Sequence, residues 1–209
     1  FWPDALSPLL DLNGYTLTKL GANIFSLINV DTAPGGGQID VQSGDFWLVY
    51  STRLNGGATN VLTLRNDALL SFYMLYEPQS WTLALNNRSR VYTISGGVPL
   101  NTWGGPVTLN GTAFLGGYNN PTYSLRLSGP VSGSGSLVKT DLSAAYLAST
   151  NNTYTGDTIV SNGVLTAEQA GSLPGYATPG KIKIAPAGTL AAMTGDGTTG
   201  WSQAQLETL

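Results

Sequence analysis

Acidic side chains are the first candidates for chemistry in this sequence, because His and Cys are both absent. Two carboxylates about 5–9 Å apart could hydrolyse a glycosidic bond, and Asp40 with Asp45, or Asp31 or Glu77 in loops, are the candidate residues. With 12 acids spread over 209 residues, such neighbours also arise by chance. We therefore expect turn-capping or solvated roles for them and predict no catalytic residue and no enzyme activity.

A metal site has equally little support in the sequence. Asp196 and Gly197 lie in Thr-Gly-Asp-Gly-Thr-Thr-Gly, which has the outline of a calcium loop. The segment lacks the repeated acids and the terminal Glu that an EF-hand needs. Without His and Cys, the usual transition-metal ligands are missing as well. We predict a structural turn there, with no metal and no cofactor.

Aromatic side chains are dense in the middle of the chain and could stack on sugar rings if they were exposed. Trp103 and Tyr118 lie among Gly and Asn residues that are typical of loops, so they form the best candidate pair for glycan binding. The alternative is that the aromatic residues are buried in the core, where they contribute large apolar area.

Composition excludes two classes of partner. Charged residues are 10% of the chain, Lys and Arg total 9, and the net charge is −3. Nucleic acid binding needs clustered cations, so we expect none. There is no run of about 18 apolar residues, so we predict no membrane span. Because the chain begins at Phe1 without a basic leader, residues 1–209 are interpreted as one segment of a longer protein.

Short apolar runs recur at spacings of roughly 8–15 residues and are bounded by Gly, Asn, Pro or Ser, which predicts an all-β chain. Asn-Gly pairs begin at Asn13, Asn55, Asn110 and Asn162. Such pairs would be hairpin turns in a β-sandwich or corners in a β-solenoid. The middle of the chain, residues 55–128, leaves the sandwich open as an alternative.

Residues 133–175 carry the most specific pattern. The residues that form the pattern are, in order, Gly135, Leu137, Lys139, Asn152, Tyr154, Thr155, Gly156, Thr158, Val160, Gly163 and Leu165. This pattern is similar to the autotransporter-associated β-strand repeat, also called the passenger-associated transport repeat, of bacterial surface proteins. Asp141 departs from the pattern, which usually has Gly at that position.

The resemblance implies a fold and a role. It implies a right-handed parallel β-helix, with residues 201–209 as the start of a helical insertion or cap. Residues 12–50 are predicted to be a diverged repeat, because Gly37, Val41 and Gly44 precede Gly156, Val160 and Gly163 by the same number of residues. The resemblance also implies a structural role as an extracellular or cell-surface stalk, sheath, fibre or adhesin. The expected partners are copies of the chain or neighbouring repeats. Surface glycans are the alternative partners, in a glycan-binding or polysaccharide-acting module on the same scaffold.

Overall fold

The computed structural model describes residues 8–95, 100–117 and 120–209. Almost all regular structure is β-strand, and one helical turn, α1 (Gln203–Leu206), lies near the end. The strands are, in chain order, β1 (Leu9–Leu10), β2 (Thr16–Lys19), β3 (Ile24–Ile28), β4 (Asp31–Thr32), β5 (Gln38–Val41), β6 (Asp45–Val49), β7 (Val61–Leu64), β8 (Leu69–Tyr73), β9 (Thr82–Leu85), β10 (Arg90–Ser95), β11 (Leu100–Trp103), β12 (Val107–Leu109), β13 (Ala113–Gly117), β14 (Ser124–Leu127), β15 (Val131–Gly133), β16 (Leu137–Lys139), β17 (Ala144–Leu147), β18 (Thr158–Ala167) and β19 (Ile182–Ala192).

The strands build a parallel β-solenoid of about eight turns. Each strand pairs in parallel with the strand one turn later: Ile24 lies beside Asp45, and Asp45 beside Leu69. The steps from 24 to 45 and from 45 to 69 make one turn 21 or 24 residues long. At about 4.8 Å per turn, the solenoid is about 40 Å long.

Three faces surround one core. Face 1 contains β1, β4, β11, β14 and β17, and the third and fourth turns add single bridges at Arg53 and Gln79. Face 2 contains β2, β5, β7, β9, β12 and β15. Face 3 contains β3, β6, β8, β10, β13 and β16. The long strands β18 and β19 run from face 3 onto face 1.

The prediction of a parallel β-helix is confirmed, and the sandwich alternative for residues 55–128 is wrong for the strands that the structure describes. Every pairing among β7 to β14 is parallel, whereas a sandwich is built from antiparallel pairs. Gly14, Gly56 and Gly163 have φ of 79°, 101° and 68°. These Asn-Gly pairs therefore turn corners and join no hairpins.

The core is a continuous apolar column. Alternate residues of each strand point inward, so β7 and β9 each bury two leucines and leave the residues between them half-buried. Buried Leu, Val, Ile and Phe side chains stack from turn to turn in one cluster. Among the described residues, no helix is long and apolar enough to cross a membrane.

Residues 201–209 pack against the core near its last turn, and their helix is a single turn. Trp201 is 1% exposed and packs edge-on against Tyr176, with 5.0 Å between ring centroids. Its indole N–H donates to the carbonyl of Ala167 at 2.9 Å. Ser202 and Gln205 form a capping box at the start of α1. The role of the segment as a helical insertion or cap stays a prediction.

Some corners close only because glycine has no Cβ. A Cβ on Gly135 would collide with the carbonyl of Gly111 one turn earlier, and a Cβ on Gly156 would collide with the carbonyl of Gly135. These three glycines therefore form a column in which successive turns approach at backbone distance.

We predict that Gly156→Ala lowers the free energy of unfolding by about 1–3 kcal/mol, because the added methyl pushes two turns apart. The measurement is chemical denaturation followed by circular dichroism. Gly35→Ala is the matched control: Gly35 is exposed, and a Cβ there meets only Asp11 Oδ1 at 3.7 Å. Equal losses in both variants would contradict the proposed contact.

Candidate functional site

The structure does not bring the candidate acids together. Asp40 lies on β5 of face 2, where it accepts hydrogen bonds from Arg65 (2.7 Å) and Gln42 (3.1 Å). Burial raises the pKa of the Asp40 carboxyl, but the hydrogen bonds from Arg65 and Gln42 and the charge of Arg65 together lower it by a larger amount, so the net shift is downward. Asp45 lies on face 3 and accepts from Trp47 and Ser71. The two carboxylates therefore have separate hydrogen-bond partners on separate faces.

Asp31 and Asp196 also have local partners. Asp31 forms an ion pair with Arg53 at 3.1 Å on face 1. Asp196 Oδ1 accepts from the hydroxyl and backbone N–H groups of Thr198 and Thr199, and these donors lower the pKa of Asp196. In the described part of the chain, no three acidic residues cluster in a way that could hold a metal ion.

Trp103 is a core residue, and the prediction that it is an exposed loop aromatic is wrong. It is 0% exposed, and its ring stacks on Phe72 with 6.1 Å between centroids. Its indole N–H donates to the carbonyl of Trp81, whose own indole donates to the carbonyl of Asn55. Trp103 offers no ring face to a sugar. Tyr118 lies outside the residues that the structure describes.

The residues of the 133–175 pattern have two structural roles. Leu137, Val160 and Leu165 are fully buried and fill the core. Asn152 is 7% exposed and links three turns: its Oδ1 accepts from the N–H of Val131, and its Nδ2 donates to the carbonyl of Ser172, both at 2.8 Å. Each of these contacts holds one turn against the next.

Tyr154 and Thr158 form a buried hydroxyl pair. Tyr154 is 2% exposed, and its hydroxyl lies 2.7 Å from that of Thr158. Burial raises the pKa of Tyr154 to about 12, with the hydrogen bond from Thr158 acting in the opposite direction. Thr155 points outward, and its carbonyl accepts from Lys181 Nζ at 2.7 Å.

Lys139 is the most unusual residue of the pattern, because it is charged and 0% exposed. Its ammonium donates to three backbone carbonyls, those of Thr140, Asp141 (2.9 Å) and Asn162 (3.3 Å). Three acceptors match the three N–H donors of an ammonium. Burial lowers the pKa of Lys139 to about 8, and the nearby Asp141 carboxylate acts in the opposite direction. The side chain therefore clamps two successive turns at a corner.

Lys19 forms a second clamp that the sequence analysis missed. It is 7% exposed and donates to the carbonyls of Leu20 (3.1 Å), Gly21 (2.6 Å) and Ser43 (2.8 Å). A glycine faces each ammonium: a Cβ at Gly44 would lie 2.7 Å from Lys19 Nζ, and one at Gly163 would lie 3.0 Å from Lys139 Nζ. The sequence feature that could have predicted this clamp is a lysine at an inward position, at the end of a strand with alternating residues.

Asp141 shows how the chain departs from the repeat pattern. It follows Lys139 by two residues, just as Gly21 follows Lys19. Asp141 has φ of 61°, and Gly21 has φ of 76°. Both corners therefore use the left-handed region, where glycine is the easiest residue and Asp is among the better tolerated alternatives. The Asp141 carboxylate also accepts from the Thr140 hydroxyl at 3.1 Å.

The geometry defines a β-solenoid whose buried polar residues hold its turns together. Comparison of the chain with protein-family models, curated proteins and solved structures returned no match. Its resemblance to the autotransporter-associated repeat therefore stays a prediction that rests on the residues of the pattern.

We predict that Lys139→Met lowers the free energy of unfolding by about 2–3 kcal/mol, because buried carbonyls lose a charged donor. Lys183→Met is the matched control, since Lys183 is 54% exposed and pairs with Asp157 at the surface. Such a pair contributes about 0–1 kcal/mol. Denaturation at pH 7 measures both, and an equally small loss in Lys139→Met would show that the clamp is not needed.

Tyr154 predicts a loss of stability in alkali. Its pKa is raised in the folded chain from the ordinary value of 10.0 to about 12, so its stabilising contribution is fully present below pH 10. It is lost as the pH rises from 10 towards 12. We expect the stability difference between the parent and Tyr154→Phe to shrink over this window, as measured by denaturation at pH 9 and pH 11. A constant difference would contradict the raised pKa.

Proposed function

We propose that this chain is a rigid structural segment of an extracellular bacterial surface protein, such as a stalk, sheath, fibre or adhesin. The observation that supports this proposal most is that its buried polar side chains connect neighbouring turns. Lys19, Lys139 and Asn152 each link backbone groups of different turns. A solenoid held in this way is stiff, because each turn is bonded to its neighbours. The segment acts as a scaffold and carries out no chemical reaction.

Self-association is the second part of the proposal. In the part of the chain that the structure describes, β3 pairs only with β6 and β19 only with β18, so one edge of each of these strands has no partner strand there. Ile24 and Ile28 are 57% and 51% exposed at one end, and Ile184 is 52% exposed at the other. Open, apolar strand edges pair with other chains. Head-to-tail contacts of this kind extend into filaments if the rotation does not close a ring.

The extracellular location is supported by the absence of Cys, which suits a chain that crosses membranes unfolded, and by the resemblance of residues 133–175. Proteolysis of intact cells tests this part of the proposal. We expect the chain to be cleaved without lysis, while a cytoplasmic marker stays intact. Protection of the chain until the cells are lysed would overturn the proposed location.

Sedimentation velocity over a range of concentrations tests self-association. We expect species larger than the monomer to increase with concentration, and Ile184→Lys to suppress them, because a charge on an edge strand opposes pairing. Leu142→Lys is the matched control, since Leu142 is 43% exposed but does not lie on an edge strand. A monomer at every concentration, or equal suppression by both variants, would overturn the proposal.

A further inference from the structure

Three aromatic rings contact one another outside the core, at the corner where the chain leaves face 3, and the backbone of a fourth aromatic residue, Tyr76, is bonded to the same corner. Trp47 and Tyr50 belong to the second turn, and Tyr73 and Tyr76 to the third. The rings of Trp47 and Tyr73 are stacked with centroids 5.9 Å apart, and Tyr50 meets Tyr73 edge-on at 6.0 Å. Backbone hydrogen bonds from Tyr50 to Tyr73 and from Tyr76 to Tyr50 hold the two turns in place. These four residues are the aromatic patch.

The patch is not needed to fill the core. On the same strands, Phe46, Leu48 and Phe72 point inward and are 0% exposed. Trp47 and Tyr73 occupy the alternate, outward positions and are half-buried, while Tyr76 is 53% exposed. The patch therefore forms a second layer on the outside of the solenoid, where its aromatic surface is open to a partner.

The backbone at this corner lies in the left-handed region in three successive turns, at Asn29, Tyr50 and Met74, the last with φ of 50°. Tyr50 has φ of 59°, and Asn29, at the same corner one turn earlier, has φ of 54°. Asn tolerates the left-handed region, but a bulky residue such as Tyr is an outlier there. Strain at such a residue persists where the surrounding structure imposes it, and it is frequent at binding sites.

Polar groups beside the rings fix their orientation. The Trp47 indole donates to Asp45, which also accepts from the Ser71 hydroxyl at 2.9 Å. A carboxylate has about four lone-pair positions, so Asp45 retains acceptor capacity. Burial raises the pKa of Asp45 despite these hydrogen bonds.

We propose that the aromatic patch binds a neutral polysaccharide. Pyranose rings have apolar C–H faces that stack on aromatic rings, and their hydroxyls hydrogen-bond to phenols and carboxylates. Asp31 and Arg53 form an ion pair near the patch, while Asp45 and Glu77 add carboxylates, so anionic polymers are disfavoured. The patch spans two turns, or about 5 Å along the axis at strand spacing, and is open on its outer side to a chain longer than one sugar. This inference does not depend on the proposed scaffold function.

Affinity gel electrophoresis of the whole chain tests the proposal. The gels contain a neutral glucan, mannan or xylan, with polygalacturonate as the anionic comparison. We expect retardation by at least one neutral polymer and none by polygalacturonate. Tyr76→Ala and Trp47→Ala should each weaken binding by about tenfold or more, as expected when an aromatic contact is lost. Tyr15→Ala is the control, because Tyr15 is 73% exposed and lies outside the patch.

Trp47 is half-buried, so its variant could lose stability. The exposed Tyr76 provides the independent test, and thermal denaturation verifies that each variant is folded. Absence of retardation by all the neutral polymers would overturn the proposal, as would equal retardation of the parent and Tyr76→Ala. Loss of concentration-dependent assembly in the patch variants, without any polysaccharide binding, would instead assign the patch to contacts between copies.

Discussion

The structure depends on adjacent turns staying close enough for backbone hydrogen bonds between them. On the flat faces this spacing follows from the parallel ladders, but at the corners the backbone leaves the ladder and its carbonyls need other donors. Lys19 and Lys139 supply ammonium donors, and Asn152 supplies an amide. Where two corners meet at backbone distance, as at Gly135 and Gly156, a side chain is excluded altogether. The corners therefore limit the choice of residue more strictly than the faces do.

This constraint separates the inside of the solenoid from the outside. Inside, Lys19, Lys139 and Asn152 are hydrogen-bonded to backbone groups of neighbouring turns, so they are structural. Outside, several acids form an ion pair with a cation on another turn, as in the pairs Asp31–Arg53 and Asp40–Arg65. The open strand edges at the two ends and the aromatic patch of face 3 remain as surfaces for partners. Both proposals are built on those surfaces.

The two tryptophans show why the sequence misplaced the aromatic surface. Trp103 precedes two glycines and was interpreted as a loop residue, yet it occupies an inward position at the end of β11. Trp47 lies in Phe-Trp-Leu-Val, which has the appearance of a buried strand, yet it points outward. In a strand, one step of register exchanges the two sides. The inward positions were decided by Phe46 and Leu48, which stack on Leu70 and Phe72 of the next turn.

The sequence by itself determined the class of fold and the local structure of the corners. Short apolar runs separated by Gly and Asn predicted an all-β chain, and the resemblance of residues 133–175 implied that its turns are parallel. Similar residues around Lys19 and Lys139 form similar clamps. Only the tertiary structure decided where each clamp lies. Following the pairing from Lys19 through five turns leads to Gly133 on face 2, whereas Lys139 is six residues further and ends a strand of face 3. The physical reason is that a corner is specified by its own hydrogen bonds, whereas its face depends on the summed length of all the turns before it.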